Sequence, residues 1–333
     1  MTLLFVLAAC TADVGGPTGA DPEDSGAPTE SGGGTDTAPT PDSGDSGDSG
    51  GDTGPAPSPP ACTVWGAPEQ TGVVTEPTLN EISGVVPSVQ NPGVLWVIED
   101  HGNEAAVYAL DATGALLATL VLDGTDNVDM EDLDLAPCPE GTCLVIADTG
   151  NNAHNRTDLA LVVAPEPLLD GVTPELHAEA VRYGFTWPES EDNEALSHTD
   201  DGRFLLASKR QDKLSAIASL PAYVDGAVAT VIATVQSASE EDGSGGGAAT
   251  ALSMWPDQHA LLLRTYQYSW EFPLVDGIDS LAGSTPVELP TPIIPHDEGA
   301  AYDAVNRGYW TIPEAPIDGV SPVWWVPCVD GLG

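Results

Sequence analysis

The stretch 193–236 reads NEALSHTDDGRFLLASKRQDKLSAIASLPAYVDGAVATVIATVQ, and four hydrophobic runs in it are separated by turn residues. The runs are Asn193–Ser197, Phe204–Ser208, Leu214–Ser219 and Ala227–Val235. Short apolar and β-branched runs between Gly, Asp and Pro turns are typical of β-strands. The stretch therefore predicts one unit of four antiparallel strands.

The beginning of this unit recurs along the chain. The aligned segments are Asn80–Gly84, Met130–Leu133, Asn193–Ser197, Ala249–Ser253 and Asp297–Ala301. The aligned positions are Glu81, Glu131, Glu194, Thr250 and Glu298, at spacings of 50, 63, 56 and 48 residues. Two further hydrophobic runs follow each segment. Each of the first four units also has a fourth run, which in the second unit is Ala178–Phe185. Four strands per unit at this period predict an all-β fold, a β-propeller. We expect five four-stranded blades, with six as the alternative.

The last unit ends without a fourth strand, whereas Thr63–Thr75 belongs to no unit of its own. We expect this N-terminal strand to complete the last blade and close the ring. Cys62 and Cys328 would then lie at neighbouring ends of an antiparallel pair, which predicts a disulfide. Cys138 and Cys143 flank a short turn and predict a second one. Disulfides indicate an oxidising compartment.

The N-terminal region predicts the location of the protein. Residues 1–10 read MTLLFVLAAC, an apolar run that ends in a lipobox-like Leu-Ala-Ala-Cys, although no basic residue precedes the run. We expect Cys10 to be lipidated. Residues 11–61 contain ten acidic and no basic residues among Gly, Ser, Thr and Pro, which predicts a disordered linker. Residues 62–333 would be the propeller, anchored in the bacterial cell envelope, with the outer membrane the expected site.

Charge excludes two classes of partner. The chain has 52 Asp and Glu against 8 Lys and Arg, a formal net charge of −44. Nucleic-acid binding depends on basic side chains that contact phosphates, and a basic patch is needed to attract anionic lipids. We therefore expect no nucleic-acid partner and contact with the membrane only through the lipid. We also expect a monomer.

Several motifs resemble a group of bacterial propellers described as SdiA-regulated or esterase-like phytase domains. They are Glu81–Gly84 with Leu95-Trp96, Glu131–Leu133 with Asp148–Asn152, and Asp297–Ala300. The resemblance covers about residues 65–333 and implies the propeller fold; it implies no particular activity, and the calcium-site pattern of the propeller phytases is not matched.

The repeat places charged residues together at one end of the channel. The first strand of a blade lines the channel and the second runs back beside it, so the start of the first faces the end of the second. This pairs Glu81 with Asp100, Glu131 with Asp148, Glu194 with Lys209 and Thr250 with Arg264, and it brings Glu298 to the same end.

These residues suggest two sites. Clustered carboxylates recruit hard cations such as Ca²⁺, so we expect a calcium site at Glu81, Asp100, Glu131 and Asp148. Glu194, Lys209, Arg264 and Glu298 would form a ligand-binding rim for a protein, a glycan or a small anionic ligand. Alternatively, Lys209 and Arg264 are salt bridges between blades. The function predicted is a binding module at the channel mouth; the alternative is a metal-assisted hydrolase of a phosphoester, ester or lactone.

Histidines and serines provide weaker candidates. His101, His198 and His296 lie near the repeated acidic positions and would suit a transition metal, but their spacing matches no metal motif. Ser83, Ser197 and Ser253 recur, yet none lies in a Gly-x-Ser-x-Gly sequence, so no serine hydrolase is predicted.

Overall fold

The computed structural model describes residues 62–74, 76–210, 212–238, 247–314 and 320–330, and every structural statement below concerns this part of the chain. The predictions for residues 1–61, including the lipidation of Cys10, lie outside the described residues. Within them the chain forms five β-sheets and one short 3₁₀ helix, Ile278–Gly283.

The strands follow the repeat of the sequence. In chain order they are β1 Glu69–Val74, β2 Ile82–Pro87, β3 Val94–Glu99, β4 Ala106–Asp111, β5 Leu116–Asp123, β6 Met130–Cys138, β7 Gly141–Asp148, β8 Ala160–Pro165, β9 Glu175–Glu179, β10 Val181–Thr186, β11 Asn193–His198, β12 Arg203–Ser208, β13 Leu214–Pro221, β14 Ala227–Val228, β15 Thr230–Gln236, β16 Ala249–Met254, β17 Ala260–Thr265, β18 Ser269–Pro273, β19 Val287–Leu289, β20 Asp297–Asp303, β21 Gly308–Pro313 and β22 Ser321–Pro327.

Each sheet is one blade of a five-bladed propeller. From the inside outwards, the first blade is β2-β3-β4-β5, the second β6-β7-β8-β10, the third β11-β12-β13-β15 and the fourth β16-β17-β18-β19, while the fifth is β20-β21-β22-β1. The first strands β2, β6, β11, β16 and β20 contact one another in a closed ring. The predicted fold class and the count of five blades are confirmed.

Apolar side chains hold neighbouring blades together. Between the first and second blades, Trp96 and Ile98 of β3 pack in one cluster with Leu133 of β6 and Ile146 of β7, and all four are at most 2% exposed. Both faces of these central strands are buried, which explains why they read as continuous hydrophobic runs rather than alternating ones. Burial of such side chains stabilises the fold by about 1.5–3 kcal/mol each.

The ring is closed by the N-terminal strand, as predicted. β1 pairs antiparallel with β22, with Glu69 opposite Trp325 and Val74 opposite Ser321. Cys62 and Cys328 form a disulfide with a Cα–Cα distance of 5.6 Å, and Cys138 and Cys143 form a second one at 5.8 Å. Both predicted pairings are confirmed, and they indicate an oxidising, exported compartment.

The outer strand of the second blade differs from the prediction. The run Ala178–Phe185 was expected to be one strand, but the chain is divided between β9, which pairs in parallel with β5 of the first blade, and β10, which pairs with β8. The chain crosses the blade boundary at Ala180, whose N–H donates to the Asp123 carbonyl at 2.9 Å. β9 thereby covers the edge of β5, which would otherwise present unpaired backbone groups.

Among the described residues, no helix is both long and apolar enough to span a membrane.

Candidate functional site

Each of the five inner strands contains a β-bulge at the same position near its start. The bulged residues are Ser83, Glu131, Glu194, Thr250 and Glu298. A bulge inserts one residue into a strand and re-aims its side chain. We call the end of the channel where these bulges lie the mouth. The predicted alignment is therefore wrong in the first unit, where Ser83 rather than Glu81 occupies the repeated position.

Bulged residues with a hydroxyl group connect adjacent blades. Ser83 Oγ donates to the carbonyl of Glu131 in the next blade, and Thr250 Oγ1 donates to the carbonyl of Glu298 at 2.9 Å. These two hydroxyl groups therefore form hydrogen bonds that connect one bulge to the next. The three glutamates at the other bulges form a separate charged group.

Glu131, Glu194 and Glu298 are 2–4% exposed, and one lysine lies among them. Lys209 Nζ is 2.6 Å from Glu194 Oε2 and 5.1 Å from the centre of the Tyr266 ring. Its charge also acts on Glu298. The structure thus brings together three of the four predicted rim residues, Glu194, Lys209 and Glu298.

Burial dominates the acid–base properties of this group. It raises the pKa of Glu131 and of Glu298 well above the usual range, and Lys209 opposes both shifts. Burial alone would lower the pKa of Lys209, but the charges of Glu194 and Glu298 outweigh it and raise the pKa. Carboxylates outnumber the single lysine, so protons or a bound cation must balance the remaining charge.

The group extends toward solvent through Glu314. After burial, Glu314 is a further cause that raises the pKa of Glu298, and Glu314 Oε2 lies 3.6 Å from His296 Nδ1. His296 also contacts the edge of Tyr266, with ring centres 5.5 Å apart. The predicted candidate His296 therefore lies at the partly exposed end of this row.

A second carboxylate group adjoins Glu131. Asp100, His101 and Asp129 have potential ligand atoms within 4.8 Å of one another. Asp129 lies two residues before the bulge in β6, and its pKa is raised to about 6 by burial and by the charge of Asp100. The backbone of Asp100 is held by its N–H, which donates to the Glu81 carbonyl at 2.9 Å.

Gly150 provides the space in which two of these carboxylates meet. A Cβ atom on this residue would lie 2.0 Å from Glu131 Oε1 and 2.4 Å from Asp129 Oδ2. Any larger residue would displace the carboxylates. The Asp148–Asn152 segment therefore has a glycine at its centre because two acidic groups converge there.

Two of the residues predicted for the calcium site have other surroundings. Glu81 is exposed, and its Oε2 accepts a hydrogen bond from Asn103 Nδ2 at 3.3 Å. Asp148 is fully buried between two guanidinium groups, at 3.1 Å from Arg156 Nη2 and 2.7 Å from Arg182 Nη2. The two arginines already neutralise Asp148. The structure brings Asp100 and Glu131 into one neighbourhood, whereas Asp148 supports it indirectly, because Asp148 Oδ1 accepts the N–H of Asp129 at 2.9 Å.

Arg264 also lies away from the surface of the mouth. Its side chain is fully buried and pairs with Asp297, which is likewise fully buried and accepts a hydrogen bond from Thr311 Oγ1 at 2.7 Å. Arg264 Nη1 donates to Ser269 Oγ at 3.2 Å. This pair joins the fourth blade to the fifth, as in the predicted alternative of salt bridges between blades.

The channel beneath the mouth is closed. At the position after the bulge, four blades have a small residue and the second has Asp132. A Cβ on Gly84 would come within 3.0 Å of the Asp132 Cα. The Asp132 carboxylate fills the axis and accepts the backbone N–H groups of Leu196 at 2.8 Å and Leu252 at 3.2 Å. A ligand can approach the mouth only from its own side.

The other predicted histidine and two of the serines lie farther along their strands from the bulges. His198 Nδ1 is 2.8 Å from Asp134 Oδ2, and Ser197 Oγ donates to the same oxygen at 3.1 Å. Ser253 Oγ accepts the N–H of Tyr302 at 3.0 Å. His198 is thus four residues along β11 from the bulge, and the three predicted histidines do not converge on one site.

Sequence reasoning missed Asp129, Asp132 and Tyr266. Asp129 precedes the aligned segment and Tyr266 lies in a connecting turn, so the repeat drew attention to neither. For Asp132 a signal was present, because it is the one acidic residue among Gly84, Ala195, Ala251 and Gly299 at the position after the bulge.

Comparison with known proteins adds little to this description. No protein-family model matches the sequence, and no curated protein matches it. Among solved structures, a PQQ-bound aldose sugar dehydrogenase from Streptomyces coelicolor has a TM-score of 0.45 at 12% identity, covering 80% of this chain and 99% of that one. A luciferin-regenerating enzyme has a TM-score of 0.41 at 10% identity over 79% and 96% of the two chains. The Dos1 propeller has a TM-score of 0.35 at 12% identity over 70% and 53%. These values support no argument about function, and the blade count is established by the strand pairing itself.

Proposed function

We propose that the propeller is a binding module whose ligand site is the mouth, and that Ca²⁺ held by Asp100, Asp129 and Glu131 completes this site. The observation that carries the proposal is the convergence of Glu131 Oε1 and Asp129 Oδ2 on the space at Gly150. Asp100, within 4.8 Å of Asp129 in potential ligand atoms, supplies the third carboxylate.

Calcium fits this group in charge and ligand type. Carboxylates held this close repel one another, and a divalent cation removes the repulsion. Calcium accepts six to eight oxygen ligands in flexible geometry, so three carboxylates leave positions for water and ligand oxygens. His101 lies 3.8 Å from Asp129 Oδ1 and is exposed, so its nitrogen would matter only for a transition metal.

The ligand would bind on the solvent side of the cation. Lys209 is already paired with Glu194 at 2.6 Å, so an anionic or carbonyl oxygen of the ligand would be met by calcium rather than by lysine. A protein, a glycan or a small anion can each present such an oxygen. The closed channel at Asp132 restricts the ligand to a group that lies over the mouth.

Calorimetric titration of calcium into the chelator-treated protein tests the proposal. Wild type should bind one ion, and the free energy of unfolding should rise by about 2.7 kcal/mol at a hundredfold excess over Kd. Asp129→Asn should abolish binding. Asp126→Asn, an exposed aspartate in the same loop, is the matched control and should bind normally.

A third variant identifies the metal. His101→Ala should bind calcium as wild type does. If wild type ignores calcium but binds Mn²⁺ or Zn²⁺ in a manner that needs His101, the assignment of calcium is wrong. If no divalent ion changes the melting temperature, the proposal fails as a whole.

A metal-assisted hydrolase is the second candidate. It is favoured by Glu194, whose pKa is raised to about 8 by burial and whose charge acts on Glu131, since a carboxyl beside a metal ligand can donate and accept a proton. Calcium-loaded protein should then hydrolyse a simple phosphoester, ester or lactone, and Glu194→Gln should remove that activity while leaving calcium binding. Absence of turnover on all three substrate classes would leave the binding module.

A further inference from the structure

An open groove lies beside the mouth, where the second blade borders its neighbours. Its volume is about 630 Å³. One wall is the turn after β5 with Thr125 and Asp126, another is the start of β8 with Asp158, and the third is the turn before β14 with Asp225. The groove shares no residue with the proposed calcium ligands.

The charges around the groove leave an excess of carboxylate. Arg182 lines it, but this guanidinium is engaged at 2.7 Å by Asp148 and donates to Thr125 Oγ1 at 3.0 Å. Arg156 pairs with Asp148 at 3.1 Å and with Asp158 at 3.1 Å. These two arginines and two aspartates balance one another.

Asp126 and Asp225, from two different segments of the lining, have no ion-pair partner among the described residues. Both are exposed to solvent. Asp225 Oδ1 accepts the N–H of Gly184 at 2.9 Å, which fixes the side chain at the edge of the groove without neutralising it. A ligand of positive charge would be attracted by both carboxylates, and an anion would be repelled.

The remaining lining consists of apolar residues, glycines and the two threonines Thr157 and Thr186. Val128, Leu159 and Phe185 contribute apolar surface, and Gly124, Gly184 and Gly226 also line the groove. A slender chain of methylene groups suits such a surface, because it buries apolar area without needing hydrogen-bond partners.

We propose that this groove is a second binding site, and that it takes a linear alkylammonium group whose cationic end lies between Asp126 and Asp225 and whose methylenes lie on the apolar floor. The group can belong to a free diamine or to a lysine side chain, and the chemistry of recognition is the same. The site does not depend on calcium.

A series of ligands of matched length tests the charge preference on wild type. Pentane-1,5-diammonium, pentane-1,5-diol and glutarate have similar chains and differ in charge. Calorimetry and ligand-observed NMR at about 0.15 M salt, which screens diffuse attraction to the acidic surface, should show saturable binding of the diammonium ion only. Equal binding of the diol, or saturable binding of glutarate, would overturn the proposal.

Paired variants locate the site. Asp126→Asn with Asp225→Asn should weaken diammonium binding about tenfold, since two exposed ion pairs contribute up to about 1 kcal/mol each. Asp200→Asn with Asp276→Asn changes the net charge equally at exposed turns elsewhere and should have no effect. Equal weakening in both pairs would assign the binding to net charge and refute the groove.

Two further arms separate the sources and the sites. Tighter binding of an acetylated, amidated lysine tripeptide than of the diammonium ion would identify a peptide as the partner, and the reverse would identify a free amine. Asp129→Asn should leave diammonium binding intact. If wild type does not bind calcium, the proposed function is refuted but the groove proposal is not. If wild type does not bind the diammonium ion, the groove proposal is refuted but the proposed function is not.

Discussion

Asp132 Oδ2 accepts the backbone N–H of Leu196 at 2.8 Å. A side chain of the second blade thus serves as the hydrogen-bond acceptor for an inner-strand N–H of the third blade. The same carboxylate accepts the N–H of Leu252 in the fourth blade at 3.2 Å. One acidic side chain thus satisfies inner-strand donors that no neighbouring strand reaches.

Removing this side chain should destabilise the whole propeller. Asp132→Ala leaves buried N–H groups without acceptors, and we expect the free energy of unfolding to fall by about 3 kcal/mol. Asp132→Asn keeps one acceptor oxygen and should lose less. Chemical denaturation measures both, with exposed Asp126→Asn as the control. A loss below about 0.5 kcal/mol in Asp132→Ala would show that water satisfies these donors.

The two disulfides should contribute unequally. Cys62 and Cys328 are 266 residues apart, and Cys138 and Cys143 are five apart. The chain-entropy model gives at most about 6 kcal/mol for the long loop and about 2 kcal/mol for the short one. Serine replacement of each pair, followed by thermal unfolding, should therefore lower the melting temperature much more for Cys62 with Cys328. A larger fall in melting temperature on replacing Cys138 and Cys143 would contradict loop-closure entropy as the source of the stabilisation.

Asp129 should make the metal-free protein less stable as the pH rises. Its pKa is about 6 in the folded chain because of burial and the charge of Asp100, against an ordinary value of 3.8 for aspartate. The folded state therefore retains a proton that the unfolded state releases, and stability from this group is full below pH 3.8 and lost as the pH rises to about 6. In chelator, Asp129→Asn should be more stable than wild type at pH 7 and nearly equal to it at pH 4. A constant difference across that range would refute the assigned shift.

Arg264 should behave as a structural residue. Because Arg264 and Asp297 are both fully buried, Arg264→Leu leaves an uncompensated buried charge and should cost about 3–5 kcal/mol. Arg264→Leu with Asp297→Leu removes both charges and should recover most of that loss. Calcium titration of the double variant should match wild type. If the double variant is no more stable than the single one, the loss does not come from an uncompensated charge, and this explanation is wrong.

The architecture could be predicted because its signal is repeated. The pattern of four hydrophobic runs recurs in every unit and so predicts the blades. The positions of Cys62 and Cys328 near the two ends of the propeller sequence predict the seam that closes the ring. The division of 178–185 between two blades could not be predicted, since both halves have strand-like sequences and the pairing of β9 with β5 is a contact between residues far apart in the chain.

The candidate site was predicted only in part, for a similar reason. The repeat identified Glu131, Glu194 and Glu298 because they occupy bulges. It shifted the first unit by two residues, since Glu81 resembles the aligned glutamates more than Ser83 does. Asp129 and Gly150 meet through tertiary contact alone, and Arg156 and Arg182 neutralise Asp148 from positions outside the repeat.

The disulfide between Cys62 and Cys328 also determines how the fold would bear a mechanical load. The bond joins the point where the chain enters the described domain to a residue directly after β22. Tension applied ahead of Cys62 would pass through the covalent bond to the end of β22, so the hydrogen bonds of β1 would not be peeled open one by one. In a reducing environment the same pull would act on β1 directly and unzip the ring at its seam.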